Sequence, residues 1–155
     1  MTSSESKSAI PVPVAQLSDL HARLDALRTN FHFLESELSF AFQDARVPPP
    51  RTFAELDLLL QMLARYEQRR NAKEFRDLEA LPGQVGHSSE SRRVACQSLV
   101  QRLDEVAAFR DGRASASWDA IWQATANQFL DYLRSESKFL DAIRKVSLSD
   151  KDSTN

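Results

Sequence analysis

Residues 17–38 read LSDLHARLDALRTNFHFLESEL, and their spacing decides the fold. The apolar positions Leu17, Leu20, Leu24, Leu27, Phe31, Leu34 and Leu38 alternate steps of three and four. That is the buried seam of an amphipathic helix packed on other helices, because residues three and four apart share one face. The pattern predicts a helix from about Ala15 to Ala45, with Phe33 and Phe40 widening its buried face. The run Val47-Pro48-Pro49-Pro50 ends it, since successive prolines remove backbone donors and force the preceding residues extended.

Three further stripes follow. Thr52-Phe53-Ala54-Glu55 has the form of a capping box and is expected to open a second helix. That helix is read through Phe53, Leu56, Leu59 or Leu60, Leu63 and Tyr66, and on through Arg70, Glu74 and Leu78. Pro82-Gly83 and Gly86 mark the next break. A third helix is expected from about Ser88, with Ala95, Leu99, Leu103, Val106 and Phe109 inward and Gly112 past its end as the C′ residue. Ser117 is a good N-cap for a fourth, whose stripe is Trp122, Thr125, Phe129, Tyr132, Glu136, Phe139, Ile143 and Val146. The expected architecture is all-α, an up-down-up-down four-helix bundle over residues 15–147. Residues 1–14 and 148–155 are expected to be flexible tails.

Composition agrees and narrows function. Only 3 glycines in 155 residues suit long helices with few corners. A formal net charge of −2 gives no electrostatic reason to expect nucleic acid or an anionic membrane surface as partner. No stretch approaches the roughly 18 apolar residues that span a bilayer, and the start lacks the basic and apolar regions of a signal peptide. A cytoplasmic protein is expected. The lone Cys96 excludes an internal disulfide and any zinc site of two or more thiolates. It reads as a small core residue.

Chemistry in a bundle sits on the inward stripes. Four polar residues occupy positions where the period demands an apolar one: Arg70, Glu74, Thr125 and Glu136. Ser91 extends the third helix's inward line, and Asp141 lies beside the fourth stripe. Taken singly, such residues often keep their heads in water while their stems pack. As a set at one depth they would need partners, because a lone buried carboxylate neutralises or finds a cation. Of the histidines, His21 could lean toward the core, His32 faces outward and His87 sits in a loop. None pairs with another His at i, i+4, and there is no His-x-x-x-Glu or Glu-x-x-His. There is no phosphate-binding glycine loop and no nucleophile–base pair, so no enzymatic activity is expected.

The layout resembles the hemerythrin-like (HHE cation-binding) domains. The likeness is carried by Leu58-Leu59-Leu60-Gln61-Met62-Leu63-Ala64-Arg65-Tyr66, by Lys73-Glu74, by Phe129-Leu130-Asp131-Tyr132-Leu133-Arg134 and by the ending Leu148-Ser149-Asp150-Lys151-Asp152. What the resemblance implies is a di-iron centre held by five histidines and two bridging carboxylates. Carried over position by position, the histidines fall on Leu24, Arg70, Ser91, Ala95 and Glu136, and the carboxylates on Glu74 and Asp141. All five imidazoles are missing. The implied consequence is a degenerate site of Arg70, Glu74, Ser91, Glu136 and Asp141, in which Arg70 stands where the cation stood. Its guanidinium would neutralise Glu74 together with Glu136 or Asp141.

The expected function is a regulatory or protein-interaction module without cofactor. Its protein partner would be met on an exposed helix face or the proline-rich loop at Val47 to Pro50. The alternative is a residual site for non-haem iron or manganese, built from Glu74, Glu136, Asp141 and His21, for O₂ or redox sensing.

Overall fold

The computed structural model describes residues 14–44, 50–80 and 83–153, with side chains described except at 14, 38–44, 50, 84 and 146–153. Those residues form five helices and no strand: α1 Val14–Asp44, α2 Pro50–Arg70, α3 Lys73–Glu79, α4 Gln84–Arg110 and α5 Trp118–Ser153. The all-α expectation therefore holds. None of these helices is long and apolar enough to cross a membrane.

The helices form where the periodic apolar residues bury together. Leu17, Leu20, Leu24, Leu27, Phe31 and Leu34 of α1 are all buried. They meet α2 and α5, while α4 lies along α5 and α3 against α4. Polar bonds fix the relative directions. Asp19 meets Arg69 and Glu37 meets Arg51, so α1 and α2 run antiparallel. Asp57 binds Arg110 through both oxygens at 2.6 and 3.2 Å, joining the start of α2 to the end of α4. Arg28 donates to Ser137 at 2.8 Å, joining α1 to α5.

Rings fill one half of the core in a continuous ladder. Trp118 stacks on Trp122, Trp122 meets Phe31 with the rings tilted by 35°, and Phe31 lies face to face on Phe129 at 4.7 Å. Phe129 then touches Tyr132, and Tyr132 meets Tyr66 edge-on at 6.5 Å. The two tyrosines are where this ladder meets a polar interior, and the apolar core resumes beyond it through Phe139, Leu140 and Ile143 of α5, Phe75 and Leu78 of α3, and Leu17 and Leu20 of α1.

Helix ends explain several departures from expectation. α2 starts at Pro50, whose fixed φ and missing N–H suit the first helical turn. Thr52 therefore lies inside the helix and buried, not at its cap, and Glu55 turns toward Arg51 at 3.5 Å. The second helix does not run through Leu78. It stops at Arg70, and Ala72 adopts an extended ψ of 152° before the short α3. This break lets Phe75 and Leu78 re-enter the core. α4 begins at Gln84, after Gly83 at a φ of 85°, so Gly86 is helical and not part of the break.

Both expected caps are present. The Ala120 N–H donates to Ser117 Oγ at 3.3 Å, and Gly112 has a φ of 75°. The Gly112 N–H reaches the Phe109 carbonyl and the Arg113 N–H the Ala108 carbonyl, the pair of bonds of a Schellman ending. Phe33, expected inward, is 61% exposed, and the side chain of Phe40 lies outside the described residues. α5 continues to Ser153, past the expected start of a tail at residue 148. Residues 1–13 of the expected N-terminal tail lie outside the described residues, as do Val47, Pro48 and Pro49.

Candidate functional site: a buried arginine–carboxylate network

Where the ring ladder ends, α2, α4 and α5 each turn a charged residue inward. Arg70 occupies the heptad line Leu56, Leu63, Arg70 of α2. Glu136 occupies the line Trp122, Phe129, Glu136, Ile143 of α5, and Arg92 the line Val85, Arg92, Leu99, Val106 of α4. All three are buried, Arg70 and Glu136 completely.

Glu136 is the centre. Its Oε1 accepts the Tyr66 hydroxyl at 2.6 Å and lies 3.2 Å from Arg70 Nε. Its Oε2 accepts Arg92 Nε at 2.6 Å. Arg92 reaches on with Nη2 to the Glu67 carboxylate, which also accepts the Tyr132 hydroxyl. Arg70 Nη1 donates to Glu79 at 2.7 Å, and its guanidinium lies 3.8 Å over the ring of Phe139. Glu79 can reach Arg70 because the chain folds back at Ala72. Two guanidiniums and three carboxylates thus alternate from a sealed centre to a rim, where the Glu67 and Glu79 side chains are 22% and 32% exposed.

The charges are held by each other. Burial holds the Glu136 pKa above the ordinary carboxylate value, and Arg70, Arg92 and the Tyr66 hydroxyl pull it part of the way back down. Burial works against the charge on Arg92, but Glu136 and Glu67 more than offset it and hold its pKa above the ordinary value. Tyr66 and Tyr132 both have pKa values well above the usual phenol, first from burial and then from the carboxylates they face. Both stay hydroxyl donors across the physiological range. Cys96 lies at the network's edge, 3.7 Å from Glu67. Burial and that carboxylate raise its thiol to about 11, which leaves it a poor nucleophile.

Of the residues expected to form a degenerate site, the fold brings together Arg70 and Glu136. Glu74, Ser91 and Asp141 are exposed and stand outside the network. Glu74 leaves the interior because α2 breaks at Asn71, so four residues after Arg70 is no longer the same face. Ser91 is one position from the inward residue, which is Arg92. Asp141 follows Glu136 by five residues, about 140° around the helix. Ser91 and Asp141 border a surface groove of about 360 Å³ with Ser135 and Lys138. Arg70 thus pairs with Glu136 and Glu79, not Glu74. Thr125 is buried with its hydroxyl returned to the Ile121 carbonyl at 2.7 Å, a local bond within the helix. His21 is half-buried on α1.

Sequence reasoning missed Arg92, Glu67 and Glu79. For Arg92 the signal was present: it stands seven residues after Val85, seven before Leu99 and fourteen before Val106, a strict heptad line. Glu67 and Glu79 are rim residues whose periodicity says nothing of their partners.

A metal centre of the kind the resemblance implies does not fit these side chains. Buried Leu24 and Ala95 offer no lone pair, and two fixed positive guanidiniums meet the interior carboxylate. Among the described residues, no three His, Cys, Asp or Glu side chains group as a metal-ligand set. No protein-family model, no curated protein and no solved structure matches the chain.

Proposed function

We propose that the chain is a four-helix bundle of the hemerythrin-like kind, up-down-up-down through α1, α2, α4 and α5, with α3 a side piece. The ion pairs and ring contacts favour that topology, because each long helix runs antiparallel to both of its neighbours. In this reading the bundle has lost its metal chemistry. It works in the cytoplasm as a non-catalytic regulatory or protein-interaction module, without affinity for nucleic acid or membrane surfaces.

One observation carries the proposal: the buried carboxylate of Glu136 is neutralised by Arg70 and Arg92 and hydrogen-bonded by Tyr66. In a metal-bearing bundle, interior carboxylates gain their compensating charge from the metal. Here the compensating charge is covalently part of the chain and cannot dissociate or change oxidation state. A guanidinium is positive at every physiological pH and has no lone pair to offer a metal. O₂ carriage or redox sensing by iron would need imidazole donors to hold geometry and tune potential, and none stands at the network.

Elemental analysis tests this on protein purified without chelator and again after anaerobic reconstitution with Fe²⁺. The expected result is iron well below one atom per chain and no visible oxo-bridged band on air exposure. Stoichiometric iron with such a band would overturn the reading.

A further inference from the structure

On the outer side of the α1/α2 pair two large apolar side chains stand in the open. Phe33 is 61% exposed and Leu58 60%. Ion pairs fix where they lie. Glu37 meets Arg51 at 3.2 Å near one end of the pair, and Asp19 meets Arg69 at 3.7 Å near the other. Asp19 and Glu37 are about five helical turns apart, and so are Arg51 and Arg69, so each couple falls on one line along its helix. At about 100° per residue, Phe33 stands roughly 40° from the acidic line of α1, turned away from the buried stripe. Leu58 stands roughly 20° from the basic line of α2, turned away from its own buried stripe. The two side chains therefore share one outer face and lie within about one helical turn of the same level. Ala22 and Ala54 on that face are exposed, and Ala26 and Met62 half-buried. Small and apolar residues, with exposed Asn30 and Arg65 among them, occupy the stretch between two charged ends, a mixed make-up suited to an interaction surface.

We propose that this face is covered by a second copy of the chain, through a two-fold axis running along the helices. Such an axis preserves level and exchanges the helices, so α1 of each copy lies on α2 of the other. Phe33 of each copy then packs on Leu58 of the other, twice. Glu37 faces Arg51 of the other copy and Asp19 faces Arg69, so each ion pair becomes a ring of four alternating charges. Arg23 beside Asp19 and Glu55 beside Arg51 leave the α1 edge net acidic and the α2 edge net basic.

The charge pattern selects this axis over the other isologous choice. A two-fold across the helices lays α1 on α1, setting Glu37 against Asp19 and Arg51 against Arg69. Like charges then oppose at both ends, which suppresses that arrangement. It also separates Phe33 from Leu58, because the two lie nearer one end of the face.

A second copy of the chain is then the partner of the proposed interaction module, and the role of the face rests on that reading. Sedimentation equilibrium of the full chain over a concentration series tests it. The mass is expected to rise from 17.5 kDa toward twice that value. Leu58→Asp and, separately, Phe33→Ser are expected to raise the dimer dissociation constant about tenfold or more, with far-ultraviolet circular dichroism unchanged. A second measurement uses Cys96→Ala protein carrying either Phe33→Cys or Leu58→Cys. Mixing the two is expected to give disulfide-linked heterodimer about tenfold faster than either gives homodimer.

A chain that stays monomeric at every concentration overturns the proposal and leaves the face to a different protein. A dimer indifferent to both substitutions, or cross-linked equally well through like positions, overturns it too. Iron content of the same samples separates the two readings. Stoichiometric iron in a dimer defeats the metal-free function alone, and an iron-free monomer defeats the dimer alone.

Discussion

Arg92 bridges the buried Glu136 and the rim carboxylate of Glu67, and its loss leaves Glu136 Oε2 without its donor while Arg70 and Tyr66 still hold Oε1. Breaking a buried ion pair by removing one partner costs about 3–5 kcal/mol, because the remaining charge stays desolvated. Arg92→Ala should therefore lower stability by about that amount, read from urea unfolding, and Arg70→Ala by a similar amount. Replacing Arg70, Arg92 and Glu136 together by Met, Met and Leu removes most of the desolvation cost with the attraction, but leaves the buried Tyr66 hydroxyl without its acceptor. It is expected to cost less than either single substitution. A triple variant weaker than either single one would mean that the network contributes more than charge compensation.

Tyrosine offers a second measurement at this scale, since the chain has only 2 and both belong to the network. Their pKa values are raised well above 10, so the phenolate form is disfavoured while the fold persists. In an alkaline titration the phenolate ultraviolet band is expected to stay absent past the ordinary tyrosine range. Both residues should then ionise in one step with unfolding. A tyrosine titrating near 10 in folded protein would show that its hydroxyl is solvated.

At the scale of the element, the ends of the helices carry measurable weight. Ser117→Ala removes the bond to the Ala120 N–H and should cost about 1 kcal/mol. At Gly112 a Cβ would meet nothing within 4 Å. The cost of Gly112→Ala is then purely that of a left-handed backbone, about 1–2 kcal/mol. Thermal melts of the two variants check both figures, and no change in either would contradict the cap assignments.

Periodicity made the four long helices, the Ser117 and Gly112 caps and the inward placement of Arg70 and Glu136 legible without coordinates. The α2–α3 break was not, because Asn71-Ala72 carries neither proline nor glycine and the apolar spacing continues through Phe75 and Leu78. That one break moved Glu74 out and Glu79 in. The Phe33 error has a different cause. An aromatic residue flanking a strong seam reads as a wider core face, and only the positions of α2 and α5 decide whether a neighbour covers it. Arg92 was legible from the heptad line through Val85, Leu99 and Val106. Stepping back four residues from Ala95, not three, led to exposed Ser91 instead.

The molecule as a whole sets a charged network within one apolar core. The ring ladder from Trp118 to Tyr132 is held by apolar burial, and the network beyond it by mutual neutralisation of fixed charges. In this account the network needs no metal to be stable, because its two guanidiniums compensate the buried Glu136 and the carboxylates left over, Glu67 and Glu79, lie at the rim in partial contact with water. A native-state metal site would raise stability by mass action as free metal exceeds its dissociation constant. The most direct measurement is therefore the thermal midpoint of the full chain in chelator, and under anaerobic titration with Fe²⁺ and with Mn²⁺. The account predicts the same midpoint in chelator and at every metal concentration. A midpoint that rises and saturates with either ion, and falls back on chelation, would contradict it.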